Sequence, residues 1–575
     1  MATNIAITGE GIVCCLGASK ETVAEALKAK RTGIGAMRHL HSSHNELLVG
    51  EVSLSDDEMK QRLGLPHEKE VSRTSLLAMT AVSEALEQAR IGAAGAKRVV
   101  LISGTTVGGM DVTEQKFGAM AANGVKDDCL DHHDCGSNTA DIASHFGIFT
   151  DYTTISTACS SAANAIILGA EMLKAGDADI VVAGGSEALT RFHLNGFNSL
   201  MILDHDVCRP FDRDRAGLNL GEGAAYVVME REENAVRRGA TPQAYLTGYG
   251  NACDAYHQTA SSPDGIGAQM AMRQALEMAG LGAADMDWIH AHGTGTPNND
   301  ESESHAIQCV FGSDVPPLSS TKGFTGHTTS ASGGVSAVIS IIAMNGRFIP
   351  ANYGLHTPMG NGITPTMGQE NATLHNVLCN SFGFGGNDSA LLFSDTPHCG
   401  DNRHYDGGAK VVEAARIEND SVENLTALKK YVSPTKTRRM GKLMKSALLT
   451  SLQALEMADI VVPDAIVTGT ALGCLQDSEE MLKQLEEGED MTSPTLFMQS
   501  THNTIGSCVA IHLKCHGYNI TFTQGGNSLD WALYQARLLL RSGRCKTVLV
   551  GCHDESTPLF NSFLRQMGRK ELPYV

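Results

Sequence analysis

The feature that most constrains this chain is a repeat that stops half way. Asp464 to Gly473 echoes Leu101 to Gly108, Thr523 to Gly543 echoes Ser156 to Gly176, and Thr547 to Asp554 echoes Ile180 to Glu187, all at an offset of 365 to 367 positions. Each block is an apolar, β-branched run that ends on glycines, or such a run followed by a helical stripe. One offset carried by three separate blocks marks an internal duplication. Strands alternating with amphipathic helices make the repeated fold α/β, with a mostly parallel sheet covered on both faces.

Within the first copy, Tyr152 to Ala158 reads as a buried strand, and Ala162, Ala163, Ile166, Ile167, Ala170 and Leu173 form one helical face before Gly176. Cys159 sits on the turn between them. A thiol at the first turn of a helix faces free N–H groups and the positive dipole end, which favour thiolate and can hold an oxyanion. Cys159 is therefore a candidate nucleophile. At the same offset the second copy has Gly526, so it keeps the turn and lacks the sulfur.

Composition removes several function classes. A formal charge of −20 argues against non-specific nucleic-acid binding. The 15 cysteines are odd in number and irregularly spaced, with no paired motif for a metal or a disulfide framework. No basic leader is visible and no run reaches the ~18 apolar residues of a membrane span, so a soluble, cytoplasmic protein is expected.

Two further strand ends carry imidazoles. Trp288 to His292 delivers His292 to a turn of small residues, and Thr321 to His327 brings Lys322 and a second imidazole. Leu378 to Asn387 ends on a glycine-rich turn that offers backbone donors. A cysteine can take an acyl group from a thioester, while two imidazoles donate hydrogen bonds to a second thioester's carbonyl as it gains enolate charge. Loss of carboxylate from a malonyl-type substrate generates that enolate. A lysine beside the second histidine would orient it or hold a counter-charge. The charged loop from Arg209 to Arg215 reads as a structural ion-pair network leading into a strand.

These motifs, Thr-Ala-Cys159-Ser-Ser-Ala, His292-Gly-Thr-Gly-Thr-Pro, Lys322-Gly-Phe-Thr-Gly-His327 and Asn380-Ser-Phe-Gly-Phe-Gly-Gly, resemble the signatures of the elongating β-ketoacyl-[acyl carrier protein] synthases. Arg209-Pro-Phe-Asp and Leu220-Gly-Glu-Gly fit the same family, and the match runs in order from about residue 3 to 395. The resemblance implies a thiolase-like layered αβαβα fold with two related mixed sheets. It implies Cys159 as nucleophile, His292 and His327 for decarboxylation and condensation, and Lys322 in support of His327. Phe384 resembles the gating aromatic whose N–H joins that of Cys159 in the oxyanion hole. Thr294 and Thr296 resemble the threonines that bind the phosphopantetheine arm. Substrates would arrive on acyl carrier protein, with no other cofactor and no metal. Two departures stand out: Ser336 occupies the place of a glutamate that usually pairs with the lysine, and the gating turn reads Gly-Gly-Asn387-Asp388.

The domain reading follows. Residues 1–397 form the synthase, with halves of about 1–240 and 241–397; 398–406 are a polar linker; 407–575 are a catalytically inactive half-copy of the same fold. The half-copy resembles the N-terminal half of a ketosynthase, and more narrowly the cysteine-less chain-length-factor-like subunits of aryl polyene and related pathways. It is expected to dock as an internal partner, a pseudo-heterodimer within one chain, unless the synthase forms an ordinary homodimer. Leu472, Cys474, Leu475 and Gln476 are expected at the acyl-tunnel end. A thiolase-type acyl-CoA acyltransferase would need a second cysteine at the C-terminal glycine turn, where Cys379 instead precedes it on the strand. A starter-condensing synthase would carry Asn in place of His327. A non-catalytic acyl-carrier scaffold would not need the four intact site residues.

Overall fold

The computed structural model describes residues 3–92, 98–124, 129–398 and 422–569. Apart from His398, the expected linker lies outside them. Thirteen strands form one large sheet: β1 (Ile5–Cys14), β2 (Val99–Gly104), β3 (Asp151–Ile155), β4 (Ile180–Glu187), β5 (Gly223–Arg231), β6 (Ala244–Cys253), β7 (Trp288–His290), β8 (Leu318–Ser319), β9 (Asn376–Gly383), β10 (Asn387–Ser394), β11 (Ala465–Gly469), β12 (Tyr518–Phe522) and β13 (Val548–Cys552). Their spatial order is β8-β7-β9-β10-β6-β1-β5-β4-β2-β3-β12-β11-β13.

That order shows two related blocks within the synthase. The block β3-β2-β4-β5-β1 and the block β8-β7-β9-β10-β6 have the same pattern, parallel among three strands and antiparallel at the last two. The two mixed sheets expected from the sequence are thus present, and they join where Ile5 to Ile7 of β1 pair with Ala244 to Leu246 of β6. Helices complete five layers. α1 (Arg73–Ala89) covers β1 and β5, and α2 (Cys135–Phe146) leads to β3. α3 (Ser161–Ala175) contacts strands of both blocks, as does α6 (Ser332–Gly346); α4 (Ile266–Ala279) covers β6 and β10, and α5 (Pro297–Phe311) packs on α4. Two central helices between two sheets have no solvent face. Accordingly α3 is buried from Ser161 to Leu173 and α6 from Ser332 to Met344, and both are rich in Ala, Gly and Ile rather than amphipathic.

The half-copy supplies β11, β12 and β13, parallel to one another, with α7 (Leu475–Glu487), α8 (Thr504–Leu513) and α9 (Ser528–Arg541). It extends the sheet at β3. Phe522 pairs antiparallel with Ile155, while Ser156 N–H donates to Thr521 O (3.0 Å) and Thr523 N–H donates to Thr154 O (3.0 Å). At the offset of 367 Phe522 is the counterpart of Ile155 itself, and the two flanking bonds exchange under that offset, Ser156 with Thr523 and Thr154 with Thr521, so a pseudo-two-fold axis passes through the Ile155–Phe522 contact. Apolar side chains pack along this seam: Ile155, Ala163 and Ile167 share a buried cluster with Phe522, Trp531 and Leu538.

Candidate active site

β3 ends at Ile155, and the chain then makes a tight elbow with Ala158 at φ +51°. Ser161 Oγ donates to Ala158 O (2.6 Å) and accepts from Thr157 N–H (2.9 Å), while Asn164 donates to Thr157 Oγ1 (2.9 Å). These short polar side chains brace the turn that presents Cys159 ahead of α3. Gly383 lies against it, where a Cβ would sit 2.8 Å from Thr157 O. This close approach brings the Phe384 N–H to the Cys159 sulfur, which also faces its own amide.

His292 follows β7, and His327 follows the single helical turn Lys322–Thr325. His327 is pinned by its backbone, with N–H donating to Asn219 O (2.7 Å) and O accepting from Gly221 N–H (3.0 Å). Gly326, at φ +69°, allows that approach, since a Cβ there would stand 2.7 Å from Leu220 O. Three strand ends remote in sequence therefore converge. His327 Nε2 lies 3.1 Å from Cys159 Sγ, the two imidazole rings are 5.3 Å apart, and the three ligand-type atoms lie within 4.8 Å of one another. Cys159, His292 and His327 are 5%, 2% and 2% exposed, so the reacting groups work in a low-dielectric pocket. Such a trio could in principle bind a metal ion. Lys322, with Nζ 3.4 Å from His292 Nδ1, places positive charge against any cation there.

Two expectations are corrected. Lys322 does not contact His327: its Nζ donates to His292 O (2.5 Å) and approaches His292 Nδ1. A donor at Nδ1 leaves the ring proton on Nε2, the nitrogen available to a substrate oxygen. The carboxylate facing Lys322 is Glu303 of α5, which accepts from His292 N–H (2.8 Å), Gly293 N–H (2.7 Å) and Asn380 (3.2 Å), and Ser336 does not take that place. Nor is Cys159 a resting thiolate. Burial pushes its thiol up to about 11, outweighing the opposing Lys322 charge and the amides of Phe384 and Cys159. Burial and Lys322 hold both imidazoles well below their ordinary value. The resting pair is neutral thiol and neutral imidazole.

Thr294 and Thr296 lie in the turn before α5, their hydroxyls 2.9 Å apart. Phe384 stacks on Phe197 (5.7 Å), which packs edge-on to Phe497 of the half-copy (5.2 Å). A narrow cavity of about 30 Å³ opens at this seam, lined from the synthase by residues including Thr106, His133 and His193, and from the half-copy by Leu472 and Phe497 among others. Of the expected tunnel-end residues, Leu472 lines it. Cys474, Leu475 and Gln476 do not: Leu475 belongs to the same buried cluster as Met110 and Phe117, and Gln476 is exposed. α7 begins at Leu475, so its first turn brings Ser478 to the cavity instead.

Sequence reasoning missed the loop before α8. Asn503 donates to Phe384 O (2.8 Å) and to Asn387 Oδ1 (2.7 Å), tying the half-copy to the gating turn. The unusual Asn387 was the visible half of that pair, and its partner lies 116 residues away.

Family models described as "Beta-ketoacyl synthase, N-terminal domain" match residues 2–235 and again 414–575, and one described as "Beta-ketoacyl synthase, C-terminal domain" matches 243–356. Nodulation protein E of Rhizobium meliloti is 32% identical over 404 residues, covering 68% of this chain and 99% of that protein. The 3-oxoacyl-[acyl-carrier-protein] synthase 2 of Vibrio cholerae is 30% identical over 409 residues, covering 68% and 98%. Among solved structures, the ishigamide ketosynthase/chain length factor aligns at a TM-score of 0.64 with 29% identity over 69% of this chain and all of that one. The PfaC keto synthase-chain length factor aligns at 0.76 over 96% of this chain and 74% of that one; at 17% identity it shows the fold alone. On the residues, the geometry and these matches together, the chain belongs to the β-ketoacyl synthase family.

Proposed function

We propose that the chain catalyses decarboxylative Claisen condensation between an acyl group on Cys159 and malonyl-acyl carrier protein, giving a 3-oxoacyl-carrier protein in fatty-acid or polyketide elongation. The observation that carries this reading is the sulfur of Cys159 within 3.1 Å of His327 Nε2, with the amides of Cys159 and Phe384 turned to the same point.

First, Sγ attacks the acyl thioester carbonyl as His327 Nε2 accepts the thiol proton; the two amides hold the oxyanion, and the phosphopantetheine sulfur leaves as thiolate and takes a proton from water, so His327 keeps its Nε2–H until Cys159 reclaims it at the end of the cycle. Malonyl thioester then places its carbonyl oxygen between His292 and His327. Its C–C bond to the carboxylate breaks, carbon dioxide departs, and the electron pair passes into an enolate held by the two Nε2–H donors. The enolate carbon attacks the acyl-Cys159 carbonyl, a C–C bond forms, and Cys159 leaves as thiolate and regains a proton. Lys322 fixes the His292 tautomer throughout. Thr294 and Thr296 would hold the phosphopantetheine arm, which is the only carrier group this scheme needs.

Residues 1–397 would be the synthase and 407–575 an inactive chain-length-factor-like partner. Three things support the latter: Gly526 at the nucleophile's position, the pseudo-symmetric seam of β3 with β12, and structural relatives titled as ketosynthase and chain length factor. The half-copy covers the β3 edge, which favours an intramolecular pseudo-heterodimer over a homodimer. Thirteen free cysteines among the described residues fit a cytoplasmic setting, and no described helix is long and apolar enough to cross a membrane.

Purified protein given acyl- and malonyl-loaded carrier should form an acyl adduct on Cys159, detected by peptide mass spectrometry, and release 3-oxoacyl-carrier. Cys159→Ala should form neither. Absence of an adduct in the wild type, or its persistence in the variant, overturns the assignment.

A further inference from the structure

The cavity between synthase and half-copy is unusual for a space meant to hold a hydrocarbon chain. Eight of its fourteen lining residues carry a hydroxyl, an imidazole or a carboxylate, among them His133, Asp134 and His193 from the synthase and Ser500, Thr501 and His502 from the half-copy. Two of these present buried atoms without a partner. Asp134 Oδ1 caps α2 by accepting from Ser137 N–H (2.9 Å), while its Oδ2 accepts nothing, although the residue is 4% exposed. His502 Nδ1 is likewise buried and unbonded. One comes from each side of the seam.

The pseudo-two-fold axis explains how such a site can be built. At the offset of 367, His502 stands where Cys135 stands in the synthase, and both line the cavity. In a symmetric homodimer the two positions would carry the same residue. A fused half-copy allows the two positions to differ, here a thiol in the synthase and an imidazole in the half-copy.

A buried polar atom left unsatisfied costs about 1–3 kcal/mol. A plain alkyl tip pushed into this space offers neither residue a hydrogen-bond partner and displaces any water that served them; a tip with a hydroxyl can donate or accept, and a ketone can accept, from one of these walls. The remaining wall, including Val107, Met110, Phe192 and Phe497, suits the carbon chain behind such a tip. The cavity also adjoins the reaction centre: His193 lines it and opposes positive charge on His327, and Phe497 lines it and packs on the Phe197 that stacks with Phe384.

Building on the condensation reading above, we infer that this cavity receives the far end of the acyl chain and selects chains whose tip carries a hydrogen-bonding oxygen over plain alkyl chains, with His502 as a specificity-determining residue.

The test uses the full chain and two series of carrier-protein thioesters, plain and ω-hydroxylated, of four to twelve carbons. The rate of Cys159 acylation is read by mass spectrometry. At one length or over a short range, the ω-hydroxy chain should react about tenfold faster than its plain partner, the ratio one buried hydrogen bond supplies. His502→Phe should bring that ratio towards one, and His502→Gln, which keeps a donor and an acceptor, should retain most of it. Acylation with plain chains favoured at every length, or an unchanged ratio in His502→Phe, overturns the inference while leaving the condensation reading intact. If no chain acylates Cys159, the condensation reading falls and the inference falls with it.

Discussion

Replacing Arg544 by Met should loosen the half-copy from the synthase by a calculable amount. Arg544 pairs with Glu171 of α3 across the seam, and Gln535 Nε2 donates to the same carboxylate (3.0 Å). The carboxylate is 2% exposed and the guanidinium 11%, and the latter also lies over the rings of Tyr518 (5.3 Å) and Tyr249 (5.8 Å). Removing one partner of a buried pair leaves an uncompensated charge and costs about 3–5 kcal/mol. The cost falls on the docked state, because undocking lets water reach Glu171. The amides of Ser156 and Thr523, which bond across the seam, report docking directly. Their hydrogen exchange should speed up by roughly two to four decades in Arg544→Met, at 1.36 kcal/mol per decade. Glu171→Gln combined with Arg544→Met removes the stranded charge and should recover most of the protection. Acceleration of less than tenfold, or a double variant no better protected than Arg544→Met, would refute the claim that this buried pair locks the seam.

Two further outcomes follow. Lys322→Met should slow carbon dioxide release from malonyl-carrier by about a hundredfold or more, the loss expected when an oriented donor drops out of a buried site, while acylation of Cys159 falls far less; equal losses in both half-reactions would disprove the pairing of Lys322 with His292. Because burial raises the Cys159 thiol to about 11, the neutral form prevails at pH 7 and thiolate grows as pH rises, so alkylation by iodoacetamide should climb about tenfold per unit from pH 7 to 10. A plateau below pH 9 would show a resting thiolate.

Strand ends were legible because chemistry at short range wrote them. Cys159 between a β-branched strand and a small-residue helix, and two histidines followed by glycine-rich turns, are local patterns, and all three meet in the structure. The half-copy was legible for the same reason, since its strands and helix keep their period when the nucleophile becomes Gly526.

What the residues alone could not decide is who faces whom. Lys322 is five positions from His327 yet serves His292, because the helical turn between 322 and 325 points the ammonium back at the end of β7. Helix-dipole reasoning favoured a thiolate at Cys159, whereas the desolvation that overrides it exists only once His327 and the Phe384 turn close over the sulfur. The wall of the seam cavity carries Ser478, Phe497 and His502 rather than Cys474, Leu475 and Gln476, because helix phase and a pseudo-two-fold axis choose the wall. Sequence determined which groups exist and the elements that carry them; the burial, tautomers and pairings that give those groups their chemistry arose from long-range packing, which no local pattern encodes.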